Sequence, residues 1–440
     1  MAFMKKVALI SFGCAKNLVD SEVMLGYLDK AKYSLVSDTN EADIVILNTC
    51  GFIEPAREET KNALKEAVLF KRKGKKVVVS GCYVERYKDL LPERYPDVDV
   101  WLGVNDFDKI VEAIEGKEYE RSAKTFLYDH ASPRIIQTPP SWAYVKISEG
   151  CSHQCSFCSI PLIKGPYQSR PVQSIVEEVE ELCRRGILEI NIVSQDTTYF
   201  GRDQGLGDGL PLLLQELLKI KKLGWVRILY GYPEEISDSL LEMMNEKKIC
   251  PYLDIPFQHS HPEIIKKMKR GMDGQRALKL IQKIRQKIPD IALRTSLVVG
   301  FPGEGKEEFR DLERFVAEVR FDHLGVFAYS REEGTDAFSL GDPVEESVKR
   351  KRKEKLMETQ MVISEENNRK YANKKIDALI EGTLKDNRDI LIGRSRFQAP
   401  EVDGVIVIDA PGKWPEAVNS VQEVEITGSD VYDLYGKLAR

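Results

Sequence analysis

Two successive series of alternating strands and helices, then a run of short glycine-punctuated strands, predict an α/β protein in three parts. They are an N-terminal open parallel α/β sheet, a central partial (β/α)6 barrel and a small C-terminal five-stranded β-barrel. Alternation of strand and helix demands a parallel sheet with helices on its faces. The second series repeats that unit six times, enough for an incomplete barrel. Domains are expected at 1–118, 141–368 and 371–440, with a linker at 119–140 that ends in Pro139 and Pro140.

In the first series, residues 6–12 form an apolar strand and a helix begins in 21–27. A strand at 42–47 leads to a helix around 58–70, and strands follow at 76–79 and 98–102. Asn105 is expected to cap a helix over 106–115. Cys14, Cys50 and Cys82 close the first three strands, 36 and 32 residues apart. In a parallel sheet they share the carboxyl edge, where open α/β sheets bind ligands. Gly13, Gly51 and Gly81 adjoin them and permit close approach of the backbone to a bulky ligand. One such cysteine reads as a buried thiol. Three in register point to a metal cluster with three protein ligands.

In the second series the strands are 142–147, 188–193, 225–229, 252–255, 291–299 and 324–329. Helices are expected at 172–185, 211–222, 237–245, 275–287 and 307–320. Directly after the first strand comes C-S-H-Q-C-S-F-C, with Cys151, Cys155 and Cys158 on one short loop. Three thiolates can hold three irons of a four-iron cluster and leave the fourth iron open. The alternative is a zinc site completed by His153 or a distant residue. Zinc sites pair C-x2-C with a second such pair or H-x3-H, which this chain lacks. Ser194, Gln195, Asp196, Gln258, His259, the stretch 300–304 and the stretch 330–335 fall at later strand ends and are expected to line one cavity. His259 and His261 equally fit ordinary loop histidines, and G-F-P-G at 300–303 reads as a turn without dinucleotide-binding spacing. Cys183 and Cys250 read as structural.

Five basic residues, Lys349 to Lys353, open an expected helix; the ordinary reading is a solvated face, with an RNA or ribosome contact as the alternative. The C-terminal strands are expected at 376–380, 390–392, 404–408, 421–427 and 431–435. Residues 371–440 hold 9 basic and 12 acidic side chains, a net charge of −3 that suits a basic protein better than a phosphate backbone. The whole chain, with 65 basic and 70 acidic residues, is net −5, which disfavours a dedicated nucleic-acid binder. No apolar run is long enough to cross a bilayer. The start of the chain reads as a buried strand rather than a signal peptide, so a cytoplasmic protein is expected. Its eight cysteines are then metal ligands or buried thiols rather than disulfides.

The C-x3-C-x2-C run, with Phe157 before its last cysteine, resembles the radical S-adenosylmethionine (SAM) superfamily. S-F-G-C-A-K-N, N-T-C-G-F and S-G-C-Y around Cys14, Cys50 and Cys82 resemble its methylthiotransferase branch, and the last barrel resembles that branch's TRAM domain. Y-L-D-I-P-F-Q-H at 252–259, S-Q-D-T-T-Y-F-G at 194–201, A-P-E-V-D-G at 399–404 and Y-D-L-Y-G at 432–436 resemble the members that modify a ribosomal protein. The resemblance implies a transferase that adds a methylthio group to the β-carbon of an aspartate in the twelfth protein of the small ribosomal subunit. It implies two 4Fe-4S clusters. The one on Cys151, Cys155 and Cys158 would cleave SAM reductively to a radical that abstracts hydrogen from the β-carbon. The one on Cys14, Cys50 and Cys82 would present sulfur, and a second SAM the methyl group. Gln195 and Arg294 are the expected SAM contacts, although Arg294 equally fits a structural ion pair. An electron donor such as flavodoxin is implied as a partner. Two alternatives remain at this point: the same chemistry on an adenosine of tRNA, and a zinc-stabilised, non-catalytic ribosome- or RNA-binding protein.

Overall fold

The computed structural model describes residues 4–122 and 124–439. Residues 1–3 and 440, at the outer ends of the first and last expected domains, and residue 123 of the expected linker lie outside the described residues. The first sheet comprises β1 (Lys6–Ser11), β2 (Ser34–Leu35), β3 (Ile44–Thr49), β4 (Lys76–Gly81) and β5 (Val100–Leu102). All pair in parallel in the order β2-β1-β3-β4-β5. Only β2 was not foreseen, being a two-residue edge strand with no periodic signal.

The first helix is longer than its pattern suggested, running from Ala15 to Lys30. Asn17, Asp20, Ser21 and Glu22 interrupt its apolar stripe because the helix is buried on two sides. Met24 and Leu28 pack on its own sheet, while Val19 and Val23 pack on the central domain. The polar residues find partners inside: the Asn48 amide donates to the Asn17 carbonyl at 2.9 Å and to Ser21 Oγ at 2.8 Å. Asn105 does not cap the helix expected at 106–115. A 3-10 turn, Phe107–Lys109, opens after Asp106 and continues as the helix Ile110–Glu115. Asn105 Oδ1 instead accepts from the Phe126 N–H at 3.3 Å.

The central strands are β6 (Trp142–Lys146), β7 (Ser148–Glu149), β8 (Gln168–Ser169), β9 (Glu189–Val193), β10 (Trp225–Ile228), β11 (Ile249–Asp254), β12 (Ala292–Val299) and β13 (His323–Ala328). The short pair β7–β8 is antiparallel. The other six form an open parallel sheet in the order β13-β12-β11-β10-β9-β6. Alternate residues point to opposite faces. Ala143, Val145, Ile190, Ile192, Val226 and Ile228 lie in the apolar core with the helices. Trp142, Tyr144, Lys146, Glu189, Arg227, Tyr252, Asp254 and Arg294 occupy the other, inner face.

That inner face is charged, and the flanking domains neutralise it. Helix Ala15–Lys30 packs against β6 and brings Asp20 to Lys146. Lys146 also pairs with Glu149 at 2.6 Å, and Lys164 reaches Asp20 at 3.1 Å and Glu149 at 3.3 Å. Two cations and two carboxylates thus close a buried, neutral cage. The described residues of 119–140 carry no helix or strand but are tied down: Arg134 bridges Glu22 and Glu178, each at 2.5 Å. Glu189 holds Arg227 at 2.8 Å and Arg394 of the last domain at 2.6 Å.

That last domain is a closed barrel of β14 (Lys375–Leu384), β15 (Asn387–Ser395), β16 (Ile406–Asp409), β17 (Val421–Ser429) and β18 (Leu434–Leu438), ordered β14-β15-β16-β18-β17. The fifth strand starts later than expected because Asp430 Oδ1 accepts from the Tyr432 and Asp433 N–H groups and fixes a turn there. The basic run is not simply a solvated face either. In the helix Glu346–Arg369, Lys349 is buried and donates to the Tyr329 carbonyl, Asp342 and Glu346, while Arg352 pairs with Glu304. Among the described residues, no helix is long and apolar enough to cross a membrane.

Removing one member of a buried ion pair strands its partner, at a cost of about 3–5 kcal/mol. Lys146→Met should therefore lower the urea unfolding midpoint markedly, and adding Asp20→Asn should restore part of the loss. Arg394→Met should loosen the last barrel, seen as faster limited proteolysis near residues 370–374.

Candidate active site

The loop bearing Cys151, Cys155 and Cys158 leaves β7 through Gly150, whose φ is +78°. A Cβ there would stand 2.2 Å from the Pro166 carbonyl oxygen, so this turn requires glycine. The loop is tied down on both sides. Ser156 Oγ donates to the Lys267 carbonyl at 2.7 Å, the Ser156 N–H to the Met268 carbonyl at 3.0 Å, and the Ala337 N–H to the Ser156 carbonyl at 2.7 Å. Burial, with the neighbouring Cys155 thiol, pushes Cys151 up to about 11 and Cys158 up to about 12. Arg270 Nη1 lies 3.6 Å from Cys155 Sγ and its guanidinium stacks on Tyr232. His153, the alternative zinc ligand, turns Nε2 to Asp196 at 2.6 Å and stacks on Tyr232 at 3.7 Å.

Cys14 caps the helix Ala15–Lys30, Cys50 follows β3, and Cys82 opens the helix Cys82–Tyr87 directly after β4. Since β1, β3 and β4 are neighbours, all three thiols sit on adjacent strand ends. The glycines do something other than make room for a ligand: they let the three loops touch. A Cβ on Gly13 would be 2.7 Å from Cys50 Cβ, and one on Gly51 would be 2.9 Å from the Tyr83 nitrogen. Burial and the nearby Cys14 thiol raise Cys50 to about 11, and burial raises Cys82 further against the pull of Lys164. Cys14 is exposed, so this triad opens on one side.

The two triads share one interface. The helix Cys82–Tyr87 packs on Ile160–Lys164, the helix that follows Cys158. Glu332, beyond β13, holds both Arg57 and Arg86, and Arg86 also donates to the Gly51 carbonyl at 2.9 Å. Gln195 donates to Glu149 Oε1 at 2.6 Å, while Gln195 Oε1, Ser194 Oγ and Asp254 Oδ1 are buried without a hydrogen-bond partner among the described residues. Arg294, the second expected SAM contact, points elsewhere. It pairs with Asp403 of the last barrel at 2.8 Å, with Asp254 at 3.9 Å, which is the ion-pair alternative. His259 is buried against Glu304 at 3.1 Å and supports the 300–304 turn rather than a cavity. Lys16, Glu149, Tyr230 and Asp254 line the interface and were not singled out from sequence. A lysine within the apolar strand 142–147 was the available signal that the inner face is polar.

These donors fit iron–sulfur clusters. Cys50, Cys82, Cys151 and Cys158, whose thiols burial keeps protonated, would ionise on binding iron, and a cluster takes each thiolate on a different iron. Among the described residues, no three His, Cys, Asp or Glu side chains converge on a single metal-ion position, a geometry that a cluster does not require. The orphaned Gln195 carbonyl offers an acceptor to a polar ligand such as the ammonium or ribose of SAM.

Residues 6–103 match the model of the uncharacterized protein family UPF0004, 145–316 that of the radical SAM superfamily and 374–438 that of the TRAM domain. The chain is 45% identical to a ribosomal protein uS12 methylthiotransferase RimO from Syntrophotalea carbinolica, covering 99% of this chain and 97% of that one. It is 42% identical to the protein of that name from Aquifex aeolicus, covering 98% and 97%. Among solved structures it resembles TsrM, a radical SAM methyltransferase from Kitasatospora setae with cobalamin and a [4Fe-4S] cluster bound (TM-score 0.54, 15% identity, covering 76% of this chain and 77% of that one). The cobalamin-dependent radical SAM enzyme OxsB is similar over 82% of this chain and 56% of its own (TM-score 0.51, 13% identity). Identity of this extent over the full length, joined to the three matched domains, makes the chain a member of the RimO methylthiotransferase family of radical SAM enzymes.

Proposed function

We infer that this enzyme methylthiolates ribosomal protein uS12 at the β-carbon of an aspartate. The observation that carries the reading is the pairing of two cysteine triads on the carboxyl edges of two sheets, at one packed interface. When bound, two 4Fe-4S clusters and SAM supply the electron, the radical source, the sulfur and the methyl group. Cys151, Cys155 and Cys158 would hold one cluster, the one that supplies the radical chemistry with SAM, and Cys14, Cys50 and Cys82 would hold the other. Gln195, fixed by its bond to Glu149, offers its free carbonyl oxygen to SAM. Arg294 serves the domain junction.

The cleavage of an unactivated C–H bond explains the need for a radical, since such a carbon offers no proton of useful pKa to a general base. The chain's own contribution is placement. The cage around Lys146 and the Glu332 clamp hold the triads at a set separation. The acidic last barrel, with 12 acidic against 9 basic residues in 371–440, supports a basic protein substrate over tRNA. Family membership removes the non-catalytic zinc reading.

Reconstituted anaerobically, the protein should carry about eight irons per chain. Substituting Cys151, Cys155 and Cys158 by Ala should remove about half of them and abolish 5′-deoxyadenosine formation. Substituting Cys14, Cys50 and Cys82 should also remove about half, yet abolish methylthiolation while reductive SAM cleavage stays measurable. With SAM and reductant, mass spectrometry should find the methylthio group on uS12 and not on tRNA. A modified adenosine with unmodified uS12 would overturn the reading.

A further inference from the structure

The cations at the interface differ in one respect. Lys146 and Lys164 each pair with both Asp20 and Glu149, Arg270 is committed to Tyr232, Cys155 and the Pro256 carbonyl, and Arg294 to Asp403. Lys16 is different. Its ammonium lies 3.4 Å from the centroid of the Tyr230 ring, and no carboxylate among the described residues comes within ion-pair distance. Glu149 and Asp254 are near enough to feel its charge but do not bond it. An aromatic face holds a cation in place without consuming its N–H donors. The lysine is therefore fixed in direction and still free to bind.

The platform under it is built with care. Tyr230 has φ +62°, a left-handed conformation unfavourable for a side-chain-bearing residue. It is held there from β11 and from the loop after β9: its N–H donates to Asp254 Oδ2 at 3.3 Å, and its carbonyl accepts from the Thr197 N–H at 3.0 Å and from Thr197 Oγ1 at 3.1 Å. The Gly231 N–H adds a bond to the Asp254 carbonyl at 2.8 Å. Strain of this kind persists where surrounding bonds over-determine it, and it brings the ring under an ammonium two residues from Cys14.

We propose that Lys16 is the residue that recognises the carboxylate of the substrate aspartate and so selects it; this rests on the functional reading above. In an aspartate side chain the carboxylate is bonded directly to the β-carbon that gains sulfur. A cation beside the exposed thiol Cys14 would set that carbon next to the triad on which sulfur is presented. A carboxylate leaving water needs a counter-charge; Lys146, Lys164 and Arg294 already hold carboxylates, and Arg270 stands beside Cys155 of the other triad, which leaves Lys16 as the cation next to Cys14. The methionyl carboxylate of SAM offers the same chemistry, and the SAM titration below separates the two sources.

The test is a binding comparison with the full-length, reconstituted enzyme. Recombinant uS12 carrying either aspartate or asparagine at the modified position is titrated against wild type, Lys16→Met and Lys16→Arg. Wild type should prefer aspartate by about tenfold or more, as expected for a charge-assisted contact. Lys16→Met should bind both forms alike, and Lys16→Arg should restore part of the preference. A structural defect would weaken both forms together and leave their ratio intact; an intact ratio in Lys16→Met overturns the proposal. A raised Kd for SAM with an unchanged ratio would assign the lysine to the SAM carboxylate and equally overturn it. Failure of wild type to modify uS12 at all would instead overturn the functional reading, and this assignment with it.

Discussion

An open six-stranded sheet with charges on its inner face cannot stand alone in a dry interior. Lys146, Glu189, Arg227 and Arg294 lie on that face, and each would be costly if left desolvated and unpaired. The rest of the architecture answers this constraint. The N-terminal domain contributes Asp20 on a helix that lies against β6, and the last barrel contributes Arg394 and Asp403. Apolar packing of Val19, Val23, Leu379 and Ala399 around Trp142 and Tyr252 seals the same junction. Apolar contact alone tolerates sliding, whereas paired charges admit few arrangements. The ion pairs therefore specify where three domains meet.

Function follows from that placement. Each cysteine triad sits at the carboxyl edge of a parallel sheet, where chain reversal exposes backbone and side chains to a ligand. The cage is built from Glu149, two residues before Cys151, and from Asp20, six residues after Cys14. Its closure thus fixes one triad relative to the other. For a reaction in which a radical formed at one centre must meet sulfur held at a second, that separation is the quantity the fold has to control.

Much of this was legible in the sequence because it rests on local signals. Six strands of the central sheet, the strand-end positions of Cys14, Cys50 and Cys82, and the five-stranded barrel all follow from apolar periodicity and glycine punctuation. What the sequence hid is tertiary. Helix Ala15–Lys30 looked shorter than it is because Asn17, Asp20 and Glu22 serve partners in other elements. For Arg294 the sequence leaves a ligand contact and an ion pair equally open, and its partner Asp403, at 2.8 Å, is too distant in the chain to be foreseen. Half-solvated runs mislead for the same reason: Lys349 belongs to a basic stretch, yet lies buried on the Tyr329 carbonyl. Gly13 and Gly51 signal close approach of the backbone in the sequence, but not that the approach is between the cysteine loops themselves.

The central claim is that two separate iron centres face each other across one interface held by the Lys146 cage. Anomalous diffraction at the iron edge from anaerobically grown crystals of the reconstituted protein tests it most directly. The account requires two iron peaks, one bonded by Cys14, Cys50 and Cys82 and one by Cys151, Cys155 and Cys158, both bordering the Lys16–Tyr230 pair. A single peak, or a second one on the far side of either sheet, would contradict it.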